Sequence, residues 1–267
     1  MKRSYPDAVA ALLDEFAWNS WFLDHHWPEN EPRVKAMVDL SFSLAPAASA
    51  PGTPLRVLEL GCANGYLAYL FSLMGAETAA MDAYDDPKRE EMFRKGGIAY
   101  TESNLNDARP LSEYADRSFD VVLMGEVFEH ILNHPAGVLQ AIYRILRPGG
   151  LVVLTTPNPS RLAIAYKVLK DQYVLWGTQA FMRDLKIDGG KLIDRGDIHY
   201  HEYPAWLVKD LVQELGYQVV HFSYYTSGPG MYQSLPKRLV KHLLRLSGLA
   251  TKRLLALGYI IVARKPA

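Results

Sequence analysis

With 267 residues the chain has room for one substantial core plus appendages, and its 29 Lys plus Arg balance 29 Asp plus Glu. That balance gives no reason to expect nucleic acid as a partner, and the single cysteine, Cys62, cannot close an intrachain disulfide. No signal-peptide pattern or apolar run of spanning length is present, so a soluble protein of a reducing compartment, the cytoplasm, is expected.

Residues 1–50 are rich in aromatic side chains and read as a helical N-terminal cap. Val9, Leu12, Leu13 and Phe16 recur at helical spacing, and Trp18, Trp21, Phe22 and Trp27 follow around His25 and His26. Pro28 and Pro32 are expected to break this pattern before 34–44 resumes it. The plain expectation is a cap over one side of a sheet. The functional one is that the cap walls a substrate pocket and excludes water, with Trp21, His25 and Trp27 as contacts. Residues 45–54, rich in Ala, Pro, Ser and Gly, form a joint into the main domain, 51–267.

The densest pattern lies in 55–85. Leu55, Val57 and Leu58 read as a buried strand ending in Glu59, followed by the small-residue turn Gly61-Cys62-Ala63-Asn64-Gly65. Leu67, Leu70, Phe71 and Met74 then have helical spacing, Gly75 closes that helix, and Ala79-Ala80-Met81 delivers Asp82 at the end of a second strand. This is the start of a doubly wound α/β domain with its ligand over the carboxyl ends of the strands. A G-x-G-x-x-G dinucleotide fingerprint is spoiled at Ala63 and Tyr66, and no Gly-Lys-Ser/Thr follows to make a phosphate loop. What remains is a glycine turn between two acids twenty-three residues apart, Glu59 and Asp82. Two carboxylates around a nucleoside suit hydroxyls and a cationic amine better than phosphates.

Further along, the sequence predicts a helix over 87–95 stopped by Gly96-Gly97, and a short third strand over 98–101. The loop Asn104-Leu105-Asn106-Asp107 follows, then a wholly apolar fourth strand over 119–124, buried on both faces. Gly125, Glu126, Val127, Phe128, Glu129 and His130 stand at its carboxyl end, where ligands are contacted. Pro135 opens a helix lined by Val138, Leu139, Ile142, Ile145 and Leu146, Pro148-Gly149-Gly150 ends it, and 151–155 is the fifth strand. The insertion 157–203 reads as a lid or a dimer contact, making a homodimer one expectation. It contains a helix over 160–170, a polar, glycine-rich stretch over 186–197 and the run His199-Tyr200-His201-Glu202-Tyr203. A helix over 204–215, a sixth strand over 216–225 and a last strand over 259–263 complete the domain. Between those strands, 231–257 carries six Lys/Arg and no Asp or Glu on an amphipathic helical pattern. A packed helix with a solvated face is the plain reading; peripheral contact with an anionic membrane is the alternative.

The pieces Glu59-Leu-Gly-Cys-Ala-Asn-Gly65, Asp82, Ser118-Phe-Asp-Val-Val-Leu-Met-Gly-Glu-Val-Phe-Glu-His130, Arg147-Pro-Gly-Gly150 and Thr155-Thr-Pro-Asn158, in this order and spacing, resemble the class I S-adenosylmethionine-dependent methyltransferases. The similarity is greatest to the branch acting on small molecules, sugars and quinones. The resemblance implies a Rossmann-like sheet of seven strands, the last antiparallel, with S-adenosyl-L-methionine as cofactor. It implies that Gly61, Cys62, Ala63 and Gly65 approach the methionine part and that Glu59 orients that loop or attracts the amino group. Asp82, next to Ala83, would accept both ribose hydroxyls. Leu105 with Asn106 or Asp107 would hold the adenine, Asn106 being preferred, and Gly125 and Glu126 would form the facing wall.

The function implied is methyl transfer to an oxygen of a small molecule or saccharide, with nitrogen or carbon methylation as one alternative and a non-catalytic cofactor-binding scaffold as another. An alcohol or phenol acceptor benefits from a base. His130 and His199 are the first candidates, His201 and Glu126 stand behind them, and Tyr200 joins the substrate contacts. Some sugar O-methyltransferases of this fold use a divalent metal. No dense His/Asp/Glu cluster at ligand spacing is visible in the sequence, so none is expected here.

Overall fold

In a computed structural model, residues 2–45, 52–132, 134–161, 185–188, 191–194, 199, 201–226 and 253–267 are described. Helix α1 (Tyr5–Glu15) starts at Ser4, whose hydroxyl accepts the Asp7 N–H, and helix α2 (Trp27–Leu44) follows after a π turn over Phe22–His26. Strand β1 (Arg56–Leu60), helix α3 (Tyr66–Leu73), strand β2 (Glu77–Asp82), helix α4 (Pro87–Gly96) and strand β3 (Ala99–Glu102) come next. Strand β4 (Phe119–Gly125), helix α5 (Pro135–Ile145) and strand β5 (Leu146–Pro157) follow them. The hairpin β6 (Leu185–Asp188) and β7 (Lys191–Asp194), helix α6 (Ala205–Glu214), and strands β8 (Gln218–Tyr225) and β9 (Gly258–Arg264) complete the order.

Seven strands form one sheet in the order β3-β2-β1-β4-β5-β9-β8, with β9 antiparallel to both of its neighbours. The fold class implied by the sequence is the one observed. Alternation along the strands feeds two cores. Val57, Val121, Leu123, Val153 and Val262 face α1 to α4, while Leu58, Val122, Met124, Leu154 and Ile261 face α5 and α6. The strand order reverses between β1 and β4, so their carboxyl ends frame the crevice in which such sheets bind ligands.

Three local differences from the sequence reading have physical causes. Pro28 and Pro32 do not break the cap. The wider π turn, in which the Trp27 N–H bonds the Phe22 carbonyl, precedes α2, and Pro28 falls in its first turn, where an N–H has no intrahelical partner. The polar stretch after β5 contains the antiparallel pair β6–β7, flanking Gly189-Gly190 in sequence, a dipeptide favoured by two-residue hairpin turns. Membrane contact through 231–257 is not retained. No helix among the described residues is long and apolar enough to cross a membrane, and of that segment only 253–257, a turn leading into β9, is described. The helix predicted over 160–170 also lies almost wholly outside the described residues.

Gly65 closes the turn between β1 and α3 at φ 76°, a left-handed conformation, and a Cβ there would stand 2.4 Å from the Phe93 ring on α4. Backbone strain of about 1–2 kcal/mol and overpacking of about 1–3 kcal/mol add at this position. Gly65→Ala is therefore expected to lower the unfolding free energy by at least about 2 kcal/mol in a urea titration.

Candidate active site

At the carboxyl ends of β1, β2 and β4 lies a cleft of about 800 Å³, open to solvent at its mouth. Gly61 and Ala63, then Asp82, Ala83 and Tyr84, then 103–106, and finally Glu126, Val127 and 130–132 line it. Asp82 is buried. The Ala63 N–H donates to its Oδ2 (2.6 Å) and the Ala83 N–H to its Oδ1 (2.7 Å). A carboxylate offers about four lone-pair sites, so acceptor capacity remains on the side facing the cleft. Burial raises the Asp82 pKa, while these N–H groups and the Arg89 guanidinium, 3.9 Å away, oppose that rise.

Ala63 holds φ 44°, strained for a residue with a Cβ. It is pinned at both ends: its N–H by Asp82 and its carbonyl by Arg89 Nη1 (2.6 Å), whose Nη2 donates to the Tyr84 carbonyl (2.6 Å). Arg89 is buried against the Tyr100 ring and rivets the glycine turn to the β2 loop. Glu59 does not line the cleft. Its Oε2 accepts the Ala68 N–H (2.7 Å) in the first turn of α3, supplying the cap that Gly65 lacks a side chain to provide. Asn106 lines the cleft and clamps its far wall, accepting the Leu132 N–H (2.7 Å) and donating to the His130 carbonyl (3.3 Å).

Of the sequence-predicted cofactor contacts, Gly61, Ala63, Asp82, Ala83, Leu105, Asn106 and Glu126 line the cleft. Cys62 is buried behind the turn with its thiol pKa pushed up by burial, and Asp107 is exposed outside the cleft. Gly65 supports the turn, and Gly125 packs on Arg33: a Cβ there would stand 2.8 Å from its Nη1.

A second cavity of about 630 Å³ meets the first at Glu126, and Glu29, Asn30, Arg33, Pro157, Arg161, His199, Tyr225 and Leu257 complete its described lining. Arg33 is only 6% exposed, and among the described residues no carboxylate lies within 4.0 Å of it. Its guanidinium donates to Thr155 Oγ1 (3.2 Å), Asn30 Oδ1 (3.0 Å) and the Tyr66 hydroxyl (3.1 Å). Burial works against this charge, but Tyr66, Glu126 and Tyr225 outweigh it and raise the pKa, so Arg33 stays cationic. Glu126 holds φ 58° at the end of β4, and its Oε1 accepts the Tyr225 hydroxyl proton (2.7 Å).

Among the described residues, the predicted substrate contacts from the cap line neither cavity. Trp21 is 58% exposed, His25 sits against the Trp21 carbonyl and ring, and Trp27 is buried in the cap's aromatic core against Phe22 and Tyr66. The cap reaches the cavity through Glu29, Asn30 and Arg33 instead, one face of α2. Tyr200 lies outside the described residues. Of the proposed bases, His130 lines the first cavity, His199 the second, and Glu126 both. His201 is exposed and stacks on Tyr203, away from either.

The sequence shows no His/Asp/Glu cluster at ligand spacing, yet the fold assembles one. One carboxylate oxygen of Glu129 and one ring nitrogen each of His130 and His199 lie within 4.8 Å of one another. Sequence spacing cannot reveal this, because His199 comes from the far end of the insertion.

The profile of the methyltransferase-domain family matches residues 33–222. A ubiquinone biosynthesis O-methyltransferase of Pseudomonas aeruginosa is 28% identical over 159 residues, 57% of this chain and 67% of that protein. One from Xanthomonas oryzae is 27% identical over 206 residues, covering 73% of this chain and 77% of that protein. Among solved structures, 1,6-didemethyltoxoflavin-N1-methyltransferase of Burkholderia thailandensis, with S-adenosylhomocysteine bound, aligns at TM-score 0.52 and 16% identity, covering 100% of this chain and 93% of that one. The [4+2]-cyclase SpnF aligns at TM-score 0.55 and 15% identity over 98% and 93% of the two chains. At such identities these structures share the fold alone.

Burial raises the Glu59 pKa from about 4.5 to about 8. The folded state therefore binds the proton more tightly than the unfolded state. The stability this contributes is full below about pH 4.5 and is lost as pH rises through about 8. Glu59→Gln keeps an acceptor for Ala68 without titrating. Between pH 5 and 8 the wild type is expected to lose stability relative to this variant, by at most about 1.4 kcal/mol per pH unit, in parallel urea titrations.

Proposed function

The chain belongs to the methyltransferase-domain family and is an S-adenosylmethionine-dependent methyltransferase acting on a small molecule; we propose that the acceptor atom is an oxygen and the acceptor a small, polar, hydroxylated compound. The observation that carries this reading is the meeting of two cavities at Glu126, with Glu129, His130 and His199 beside the junction. The first cavity fits the cofactor's nucleoside. Asp82 has lone pairs for ribose hydroxyls, and Met81, Leu105, Val127 and Ile131 offer apolar surface for a base. Arg33 is a buried cation without a carboxylate partner among the described residues, and it fits the carboxylate of the methionyl group. When bound, the sulfonium supplies an electrophilic methyl group.

The protein's part is to align donor and acceptor, exclude water and remove the acceptor's proton. An amine acceptor already presents a lone pair and needs no base, whereas a hydroxyl gains from the groups at the junction. The names of the relatives from Pseudomonas and Xanthomonas, O-methyltransferases, support the same choice of atom. A polyprenyl chain like that of a quinone does not suit the described wall, where Glu29, Asn30, Arg161 and His199 would lose water without gaining partners.

Calorimetry with S-adenosylhomocysteine and with 5′-methylthioadenosine, which shares the nucleoside but lacks the amino acid, tests the donor assignments. Asp82→Ala is expected to weaken both at least tenfold, about 1.4 kcal/mol. Arg33→Gln should weaken S-adenosylhomocysteine alone by a similar factor; equal loss for both ligands would remove Arg33 from the methionyl role. Labelled methyl donor offered to matched panels of diols, phenols and amines tests the acceptor. Turnover confined to the amines would overturn the oxygen reading.

A further inference from the structure

We propose that Arg161 selects an acceptor carrying an anionic group, a carboxylate or a phosphate, besides the hydroxyl that is methylated. The inference deepens the proposed function and rests on its assignment of the second cavity to the acceptor. Arg161 stands in the wall of that cavity with a side chain 25% exposed. Its Nε is buried without a hydrogen-bond partner, and no other polar side-chain atom of the described lining is in that state. Its Nη2 lies 3.9 Å from Glu202 Oε1, beyond hydrogen-bond reach, and that oxygen is 3.3 Å from His199 Nδ1. A guanidinium carries five N–H donors, and no described residue accepts from those of Arg161. Donors withdrawn from water without acceptors are costly, and a ligand that supplies acceptors removes that cost.

The segment that carries Arg161 is fixed by Asn158, which is 1% exposed. The Asn158 Nδ2 donates to the carbonyls of Arg253 (2.6 Å) and Ala256 (3.1 Å), and its Oδ1 accepts the Ser160 N–H (3.1 Å). The backbone leading to Arg161 is therefore set before an acceptor arrives, so less ordering entropy is lost on binding. Arg33, the other arginine of the cavity, already donates to Thr155, Asn30 and Tyr66 and is assigned to the donor's methionyl carboxylate. A planar guanidinium matches a carboxylate or a phosphate through two parallel N–H···O bonds.

Glu29 and Glu126 also line the cavity, and they make a cationic acceptor the rival. Glu126 is met by the Tyr225 hydroxyl, and neither acid has a buried oxygen without a partner. The unmet demand in the described lining is thus for acceptor atoms. With the donor bound, its sulfonium adds positive charge at the junction, and an anion in the adjoining cavity complements it.

The test titrates the full chain, saturated with S-adenosylhomocysteine, by calorimetry with two sets of compounds that differ in charge. Dihydrocaffeate, ethylcatechol and dopamine form the catechol set. Glycerate, glycerol phosphate, glycerol and aminopropanediol form the diol set, which also distinguishes carboxylate from phosphate. In at least one set the anion is expected to bind at least tenfold more tightly than its neutral twin. Arg161→Gln should bring the anion down to the level of that twin. Arg161→Lys, which keeps the charge without the fork, should keep part of the margin. Lys35→Gln, on the exposed side of α2, should keep all of it. A neutral or cationic member binding as tightly as the anion in both sets overturns the inference, and so does a margin that survives Arg161→Gln. Equal loss of S-adenosylhomocysteine affinity in Arg161→Gln would mark a structural role and overturn it too. Turnover of the same compounds with labelled donor separates this inference from the oxygen reading. A margin with methyl found on nitrogen alone removes the oxygen reading and leaves Arg161 in place; methyl on oxygen without a margin does the reverse.

Discussion

The ligand end of the sheet depends on one buried carboxylate. Asp82 ends β2, and its two oxygens take the amide protons of Ala63, in the turn after β1, and of Ala83, in the loop after β2. Two parallel strands are thereby tied together beyond their last ladder bonds, where the backbone would otherwise have only water to pair with. The arrangement holds Ala63 in a left-handed conformation that it would not adopt alone, and Arg89 holds the same residue's carbonyl from behind. Because the carboxylate's structural bonds use only some of its lone pairs, one residue both shapes the turn and presents a polar edge to the cleft.

The second cavity is built on a different principle. Charged groups from distant parts of the chain gather in and beside it: the buried Arg33 comes from the N-terminal cap, the half-buried Glu126 and the buried Glu129 from the end of β4, and the half-buried His199 and Glu202 from beyond β5. In such a setting each charge must be met by another charge or by a full set of hydrogen bonds. Arg33 reaches that state through Tyr66, Asn30 and Thr155, and Glu126 receives the Tyr225 hydroxyl. Glu129 does not reach it on Oε1. Glu202 Oε2 and Arg161 Nε, beside the same cavity, are likewise buried without a hydrogen-bond partner.

What was legible in the sequence was local. The glycine turn, the acid ending β2, the apolar run of β4 and the residues at its carboxyl end all declare themselves within a window of a few positions, and all line or frame the cleft. What was not legible depends on which side of a helix faces inward. Arg33 and Arg89 both sit on the apolar faces of their helices, one turn from Met37 and Met92–Phe93, and a search for apolar periodicity passes over a guanidinium there. A basic residue in register with a buried stripe was the available signal. The aromatic residues of the cap misled for the opposite reason. Bulk in Trp21 and Trp27 suggested a pocket wall, but Trp27 is spent on the cap's own core and Trp21 faces solvent. The Glu129–His130–His199 convergence depends on the return of the chain after a long insertion, and no pattern within a window encodes it.

The two cavities therefore differ in how they respond to change in sequence. The donor cleft is fixed mostly by bonds to backbone groups: Asp82 to two amides, Glu59 to an amide of α3, Arg89 to two carbonyls, Asn106 to one of each. Backbone partners are present whatever the neighbouring side chains are, so this end tolerates variation around a few fixed positions. The second cavity is held by side chains meeting side chains from the cap, from the end of β4, from β8 and from the residues after β5. Replacing one of these removes a partner from another. A substitution among the described residues of the second cavity therefore disturbs its neighbours while the first cleft keeps its geometry, and Glu126, at φ 58° and lining both cavities, is the residue the two share.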